Sequence, residues 1–403
     1  MQKGKKLGID YPDPPLSWGS SYLRLKKKFY LSAFCNTSLK SVKIFLKMRL
    51  TKTILLLVVT LGGFGHLKSQ DLHNTLFYMN PLHMNPAFSG SFEGTFRIGG
   101  LYRDQARTAI GKSAYTTPTI FVDAPILMIG KRHWVGVGFL AFQDQAGDGQ
   151  LAMTAGQLSG AFHLALDKKS KNVLTLGVQW GKIGRRIKNL NGYNPEDLIT
   201  QRLANNPGAA TEDLIFMGGG SGGPGGNNAD KKKDFSDVNL GFLFKSKASK
   251  TADYNFGVSA RHITTPGNDY NFGGSNVDLN MRLIAHAQLN TALNAKWTLT
   301  PEVYYSNISP ARQFQAHVWA GYWLKPAENI KLNGGLGYRV GDSAQLLLGL
   351  DYKDFKVALG YDFTLSDLSQ ANSRQGGFEI AAYYTGKIYK KPTVKPVILC
   401  PHL

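Results

Sequence analysis

LSGAFHLAL, residues Leu158 to Leu166, decides how the rest of the chain is read. Leu158, Gly160, Phe162, Leu164 and Leu166 share one face of an extended chain, and Ser159, Ala161, His163 and Ala165 share the other, because successive side chains of a strand point to opposite faces. NVLTLGVQW repeats the period, with Leu174, Leu176, Val178 and Trp180 against Thr175, Gly177 and Gln179. In MRLIAHAQLN the apolar face is Met281, Leu283, Ala285, Ala287 and Leu289, opposite Arg282, His286, Gln288 and Asn290. DFKVALGYDF sets Phe355, Val357, Leu359, Tyr361 and Phe363 opposite Lys356, Gly360 and Asp362. Each segment is close to the roughly 9–11 residues that a tilted transmembrane strand requires.

Such segments begin near residues 94, 116, 133, 151, 172, 236, 252, 280, 296, 312, 329, 343, 354 and 376. No stretch after the leader reaches the roughly 18 consecutive apolar residues of a spanning helix. A chain of this kind crosses a membrane only as a closed barrel, where every backbone group is paired. The fold expected is therefore all-β, a transmembrane antiparallel β-barrel of about 14 strands over residues 94–386.

An even strand count puts both chain ends on one side. With the N-terminus periplasmic, the even-numbered connections LMIGKRH, DKKSK, KSKASKT, TALNA, KPAEN and the YK at Tyr352 are the short periplasmic turns. The odd-numbered ones, such as Arg186 to Phe235 and Thr264 to Leu279, are the long extracellular loops. Pro118 and Pro301 fall inside expected strands, which predicts later starts or bulges there. HWVGVGFLAF is apolar on both faces, and Trp319 and Trp323 lie on a nominal lumen face, so the lumen is expected to be occupied. The Asn-Pro stretch at the N-terminus and the loop over 186–235 are the two candidates to fill it.

The net charge of +20 misleads about partners. Residues 1–69 hold 13 Lys/Arg against 2 Asp/Glu, a surplus of 11, and the remaining residues carry +9 (34 minus 25). The basicity is largely that of a leader, and nucleic-acid binding loses its support. From Met48, MRLTKTILLLVVTLGGFGHLKSQD has a basic start, an apolar run from Ile54 to Phe64 and a short polar end, the three regions of a signal peptide over 48–69. Residues 1–47 have no place in it and read as a spurious or extended N-terminus. Cys35 then leaves with the leader, and Cys400 alone makes no internal disulfide.

FYMNPLHMNPAFSG, Phe77 to Gly90, places Asn80-Pro81 and Asn85-Pro86 just before the first strand. Proline lacks an N–H and disfavours helix in the residue before it, so this stretch is neither helix interior nor ladder. A periplasmic cap or plug over 70–93 and a mere turn into the first strand are both open readings. MGGGSGGPGGNNADKKKD lacks the Lys-Ser/Thr of a phosphate loop and reads as a flexible linker. No two of the eight His after the leader stand at metal-ligand spacing, and no Gly-x-Ser-x-Gly elbow occurs, so no catalytic residue, metal or cofactor is expected. His163, His286 and His317 read as polar lumen lining.

Cations gather at the expected periplasmic ends, among them Lys131, Arg132, Lys168, Lys169, Lys171, Lys245, Lys247, Lys250, Lys325, Lys353 and Lys387. They read as solvated turns or as a rim for an acidic partner or headgroups. The tail over 387–403, YKKPTVKPVILCPHL at its end, is kept extended by its prolines, with an apolar grip in Val397, Ile398 and Leu399 followed by Cys400 and Pro401. It is expected to dock a periplasmic partner.

QDLHNTLFYMNPLHMNPAFSGS, YRDQ at Tyr102 to Gln105, PTIFVDAPI, GVSARHITTP, GLGYRVGD, GGFEIAAYY and the terminal CPHL together resemble the PorP/SprF family of type IX secretion system outer-membrane proteins of Bacteroidetes. The resemblance covers Gln70 to Leu403 and departs from the family at Asp104, at Leu403 and in the Gly-rich loop. It implies a non-enzymatic barrel that supports export or surface anchoring of secreted proteins, including the C-terminal domains of adhesins in gliding motility. It also implies a link to type IX machinery on the periplasmic side. The motif residues carried over are Asn80, Pro81, Asn85, Pro86, Ala87, Gly90, Tyr102, Arg103 and Gln105. A passive diffusion porin for small solutes is the alternative.

Overall fold

The computed structural model describes residues 74–105, 107, 114–146, 151–187, 231–264, 280–309, 311–366, 369 and 373–388. The expected leader, the Gly-rich linker and the apolar tail residues Val397 to Pro401 lie outside them. The strands are β1 (Phe96–Gln105), β2 (Tyr115–Ile129), β3 (His133–Ala146), β4 (Leu151–Ala165), β5 (Asn172–Ile187), β6 (Lys231–Ser246) and β7 (Ala252–Arg261). They continue as β8 (Arg282–Ala292), β9 (Trp297–Ile308), β10 (Ala311–Lys325), β11 (Ile330–Arg339), β12 (Ser343–Tyr352), β13 (Phe355–Thr364) and β14 (Gln375–Gly386).

Each strand pairs antiparallel with its sequence neighbours, and β1 pairs with β14 from Phe96↔Gly386 to Gln105↔Gly377, closing a 14-strand barrel. Closure removes every sheet edge. Polarity across the wall is the reverse of a soluble protein. Leu158, Leu176 and Leu336 are 59%, 60% and 68% exposed on the outside, while Gln157, His163, Thr175 and Asp237 are fully buried inside. An apolar exterior around a polar interior is what hydrocarbon demands of a barrel.

Connections alternate as expected between a short-turn end and an end that carries the longer segments. The short-turn end is built from tight reversals with left-handed residues at Gly130, Ser170, Asn329 and Lys353. β5 and β6 run on to Ile187↔Lys231, past the limits of the loop expected from 186 to 235. Pro118 and Pro301 do not delay their strands. Pro118 pairs with Tyr102 of β1, but between Thr116↔Gln145 and Thr119↔Phe142 the ladder to β3 is interrupted, since proline has no N–H to give. Pro301 behaves alike, pairing with Val318 of β10 and leaving a gap towards β8 between Gln288↔Glu302 and Thr291↔Leu299. The register shift in β2 comes later, between Pro125 and Leu127.

Candidate functional site

Residues 74–92 lie inside the barrel. The segment is built from three single turns, Phe77–Met79, Pro81–Met84 and Pro86–Phe88. Pro81 and Pro86 each sit at the first position of a turn, where the missing N–H costs nothing. A segment too short for a helix of its own has most of its polar backbone left to satisfy, and the wall does this.

At its start, near the long-loop end, the segment meets a cage of buried charge. Thr75 N and Leu76 N donate to the two oxygens of Glu379 at 2.6 and 2.7 Å. Thr75 Oγ1 donates to Asp362 at 2.7 Å and accepts from Arg103 Nη1 and Arg339 Nη2, both at 2.9 Å. Arg103 pairs with Glu379 and, at 3.1 Å, with Asp362, and Arg339 reaches the same Asp362 oxygen at 3.1 Å. Gln315 Nε2 donates to Thr75 O at 3.0 Å. Two guanidinium groups face two carboxylates, so no charge is left unpaired in the cage.

Further along, the wall is hollowed by glycine. A Cβ at Gly136 would stand 2.0 Å from Ser89 O, one at Gly177 2.4 Å from Ala87 N, and one at Gly241 2.0 Å from Asn85 Oδ1. These positions must lack a side chain for the segment to lie where it does. Asn85 is fully buried and fastens the middle of the segment: its Oδ1 accepts from Ala87 N at 2.9 Å, and its Nδ2 donates to Phe242 O at 2.9 Å and lies 3.1 Å from His286 Nε2. Gly90, at φ +69°, donates its N–H to Asp123 at 2.8 Å and accepts from Trp134 Nε1 at 3.0 Å. Lys245 closes the lower end, donating to Ser91 O at 2.6 Å.

Fastened in this way, the segment is touched from every strand. Beyond the contacts above, β4 reaches it through Ser159 and His163, both on Ser89, β5 through Gln179 on Leu82 O, and β7 through Ser259 on Met84 O. Tyr304 of β9 packs on Phe77 with ring centroids 5.2 Å apart, and Gln345 of β12 lies 3.5 Å from Thr75 Oγ1. Phe77, Leu82, Met84, Ala87 and Phe88 form one apolar cluster with Phe121, Leu140, Ile183, Leu243 and Ile284 of the wall.

Of the residues singled out in the sequence, Pro81, Pro86 and Ala87 are buried in the segment and Arg103 is part of the cage. Gln105 accepts from Arg103 at 3.2 Å and so supports the cage from behind. Three residues stand apart from these. Asn80 is buried, yet neither side-chain atom has a hydrogen-bond partner among the described residues, so only Asn85 compensates for its proline. Tyr102 points outward, 39% exposed, away from the segment. Lys245 belongs to the lumen, not to the solvated rim.

Trp319 does face the lumen, its Nε1 donating to Glu302 at 3.2 Å, and Trp323 carries Lys331 Nζ over its ring at 5.2 Å. His163, His286 and His317 contact separate parts of the segment and do not converge. Among the described residues no group of His, Cys, Asp or Glu is placed to hold a metal ion. Thr75, Arg339, Asp362 and Glu379 were missed as a site. The available signal was a charge at lumen parity in otherwise apolar strands, in GLGYRVGD, ALGYDF and GGFEIAAYY.

Among solved structures, the chain resembles the Pseudomonas putida toluene transporter TodX at 12% identity, covering 79% of this chain and 95% of that one with a TM-score of 0.44. The Ralstonia pickettii toluene transporter TbuX is 10% identical, with 76% and 93% covered and a TM-score of 0.41. A Pseudomonas aeruginosa FadL homologue is 12% identical, with 75% and 92% covered and a TM-score of 0.42. No curated protein matches the chain in sequence. The family model for the type IX secretion system membrane protein PorP/SprF matches residues 66–384, and the chain belongs to that family.

Proposed function

We propose that this protein is a non-enzymatic outer-membrane component of the type IX secretion system whose barrel is sealed by its own N-terminal segment. It works by binding other proteins at its two ends. The long-loop end faces the cell exterior and holds an exported protein or the C-terminal domain of an adhesin. The short-turn end, with the tail over 387–403, faces the periplasm and meets the export machinery. A signal peptide over 48–69 directs export and is removed. Motif residues Asn80, Pro81, Asn85, Pro86, Ala87 and Gly90 then act by sealing the barrel rather than by touching a partner directly.

One observation carries this reading against the porin: side chains or backbone of all fourteen strands reach residues 74–92. A lumen filled at every point of its circumference does not suit diffusion of solutes, whereas a closed rigid cylinder suits a platform. Planar-bilayer recording tests it. The intact mature chain should insert without stable conductance steps, and a variant lacking residues 74–92 should give open channels. Steady conductance from the intact chain would favour the porin. Affinity purification from the native outer membrane should recover type IX components with the intact chain and fewer after deletion of residues 390–403.

A further inference from the structure

The cations of the short-turn end are not spread evenly. Three consecutive turns, between β2 and β3, β4 and β5, and β6 and β7, carry Lys131 and Arg132, then Lys168, Lys169 and Lys171, then Lys247 and Lys250. Three carboxylates accompany them, of which Asp253 at the start of β7 accepts from Asn290 Nδ2 at 2.8 Å. Asp167 is enclosed in its own turn, where it accepts from Lys169 N, Lys171 N and Asn172 N at 2.8, 3.1 and 2.7 Å, and these donors hold it below the usual carboxylate range. Glu93 pairs with Lys247 at 2.6 Å. Exposed Lys131, Lys168, Lys169, Lys171 and Lys250 pair with no carboxylate among the described residues.

Across the barrel the balance differs. Lys325 is paired with Glu328 at 3.1 Å and Lys387 with Asp354 at 2.7 Å, which among the described residues leaves Lys296 and Lys353. The basic arc is also preformed: Lys247 N donates to Lys171 O at 2.9 Å and Ser246 Oγ to Asn172 Oδ1 at 2.7 Å, so two of its turns are tied to each other as well as to their own strands. Beneath it, Lys245 and Lys247 tie down Ser91 and Glu93 at the exit of the luminal segment.

We infer that the turns between β2 and β7 form a docking surface for an acidic protein partner. Lipid surrounds a barrel on all sides, so an anchor for headgroups has no reason to favour one arc, whereas a partner that docks at one place does. Unpaired cations held on tied turns lose little freedom on binding, which favours a specific electrostatic contact over ordinary solvated lysines. That the partner is periplasmic rests on the orientation proposed above.

The test uses the mature chain in detergent and fluorescein-labelled poly-L-glutamate, followed by anisotropy at low salt. Reversing the arc with K131E, K169E, K171E and K250E should weaken binding by about tenfold or more, and the far-side reversal K296E with K353E should change it by less than about twofold. Binding should fall as salt rises. Equal effects of the two reversals, or no binding of the intact chain, would overturn the docking surface. So would loss of phosphatidylglycerol retention in native mass spectrometry of the arc variant with poly-glutamate binding unchanged, because the arc would then be a lipid site. Labelling of K169C on intact cells by a membrane-impermeant maleimide would overturn the orientation alone and leave the anisotropy result standing.

Discussion

At Thr75 the luminal segment meets two arginines and two carboxylates, and at Ala87 it meets bare glycine backbone. The first contact is chemical: a few atoms, each with a specified donor or acceptor, in a setting where an unpaired charge is very costly. The second is geometric, since Gly136, Gly177 and Gly241 contribute nothing except the space that lets Ser89, Ala87 and Asn85 reach the wall. The difference shows how one short segment is held inside a wide barrel without a long helix or a strand of its own. Charge fixes where the segment starts, and shape fixes the path it follows.

The largest effect should come from breaking the charged end. Glu379→Ala leaves Arg103 buried with one carboxylate fewer and strips Thr75 and Leu76 of their acceptor. Removing one partner of a buried pair costs about 3–5 kcal/mol. A urea titration read by the gel mobility of folded barrel should show the unfolding free energy fall by that much, with conductance appearing in bilayers. A silent Glu379→Ala would mean that shape alone holds the segment.

Next in size is the glycine end. Gly177→Ala puts a methyl group 2.4 Å from Ala87 N, where backbone rather than a flexible side chain must yield. Overpacking of this kind costs about 1–3 kcal/mol. Protease cleavage within residues 74–92 should rise while the wall stays folded. Gly160→Ala, on the outer face with open space around it, is the control and should leave cleavage unchanged.

The two asparagines sharpen the comparison within the segment. Asn85→Ala removes the acceptor of Ala87 N and the donor to Phe242 O, so about 1–3 kcal/mol should be lost. Asn80→Ala removes a buried amide with no partner among the described residues, so no hydrogen bond is lost with it and the loss of stability should be smaller than that of Asn85→Ala. If Asn80→Ala instead abolishes recovery of export components at unchanged stability, Asn80 contacts a partner.

Much of this architecture was legible in the sequence. The strands were found because lipid on one side and a packed lumen on the other impose a strict period of two, as in LSGAFHLAL, and the two-sided apolarity of HWVGVGFLAF announced something packed within. The cage was not legible. Arg103 comes from the first strand and Arg339, Asp362 and Glu379 from three of the last four, brought together only when β1 closes on β14, and a single charge at lumen parity looks the same whether it meets water or an opposite charge on a neighbouring strand. Nor was the glycine groove, since parity puts Gly177 on the luminal face and Gly160 on the lipid face but does not say which luminal glycines lie under the segment, and only its path past β3, β5 and β6 singles out Gly136, Gly177 and Gly241. The role of Lys245 was misread for the same reason: the sequence places it beside a turn, and only the barrel shows that it turns inward.

The smallest effect belongs to the pair at the lower exit. Lys247 donates to Glu93 at 2.6 Å, and this hydrogen bond, then the attraction of the same ammonium, holds the Glu93 carboxyl below its usual range. A carboxylate whose proton affinity is lowered by folding adds stability above its unfolded pKa and loses it as pH falls through the lower, folded one. Acidification should therefore weaken the lower end of the segment. Glu93 is 85% exposed, however, and Lys247 is 62% exposed, so solvent screens the pair and its worth is at most about 1 kcal/mol. Lys247→Ala should lower the unfolding free energy by no more than that at neutral pH, and by nothing once Glu93 is protonated. A larger shift would mean that the exit of the segment is held as firmly as its start, and the division between a charged end and a shaped path would fail.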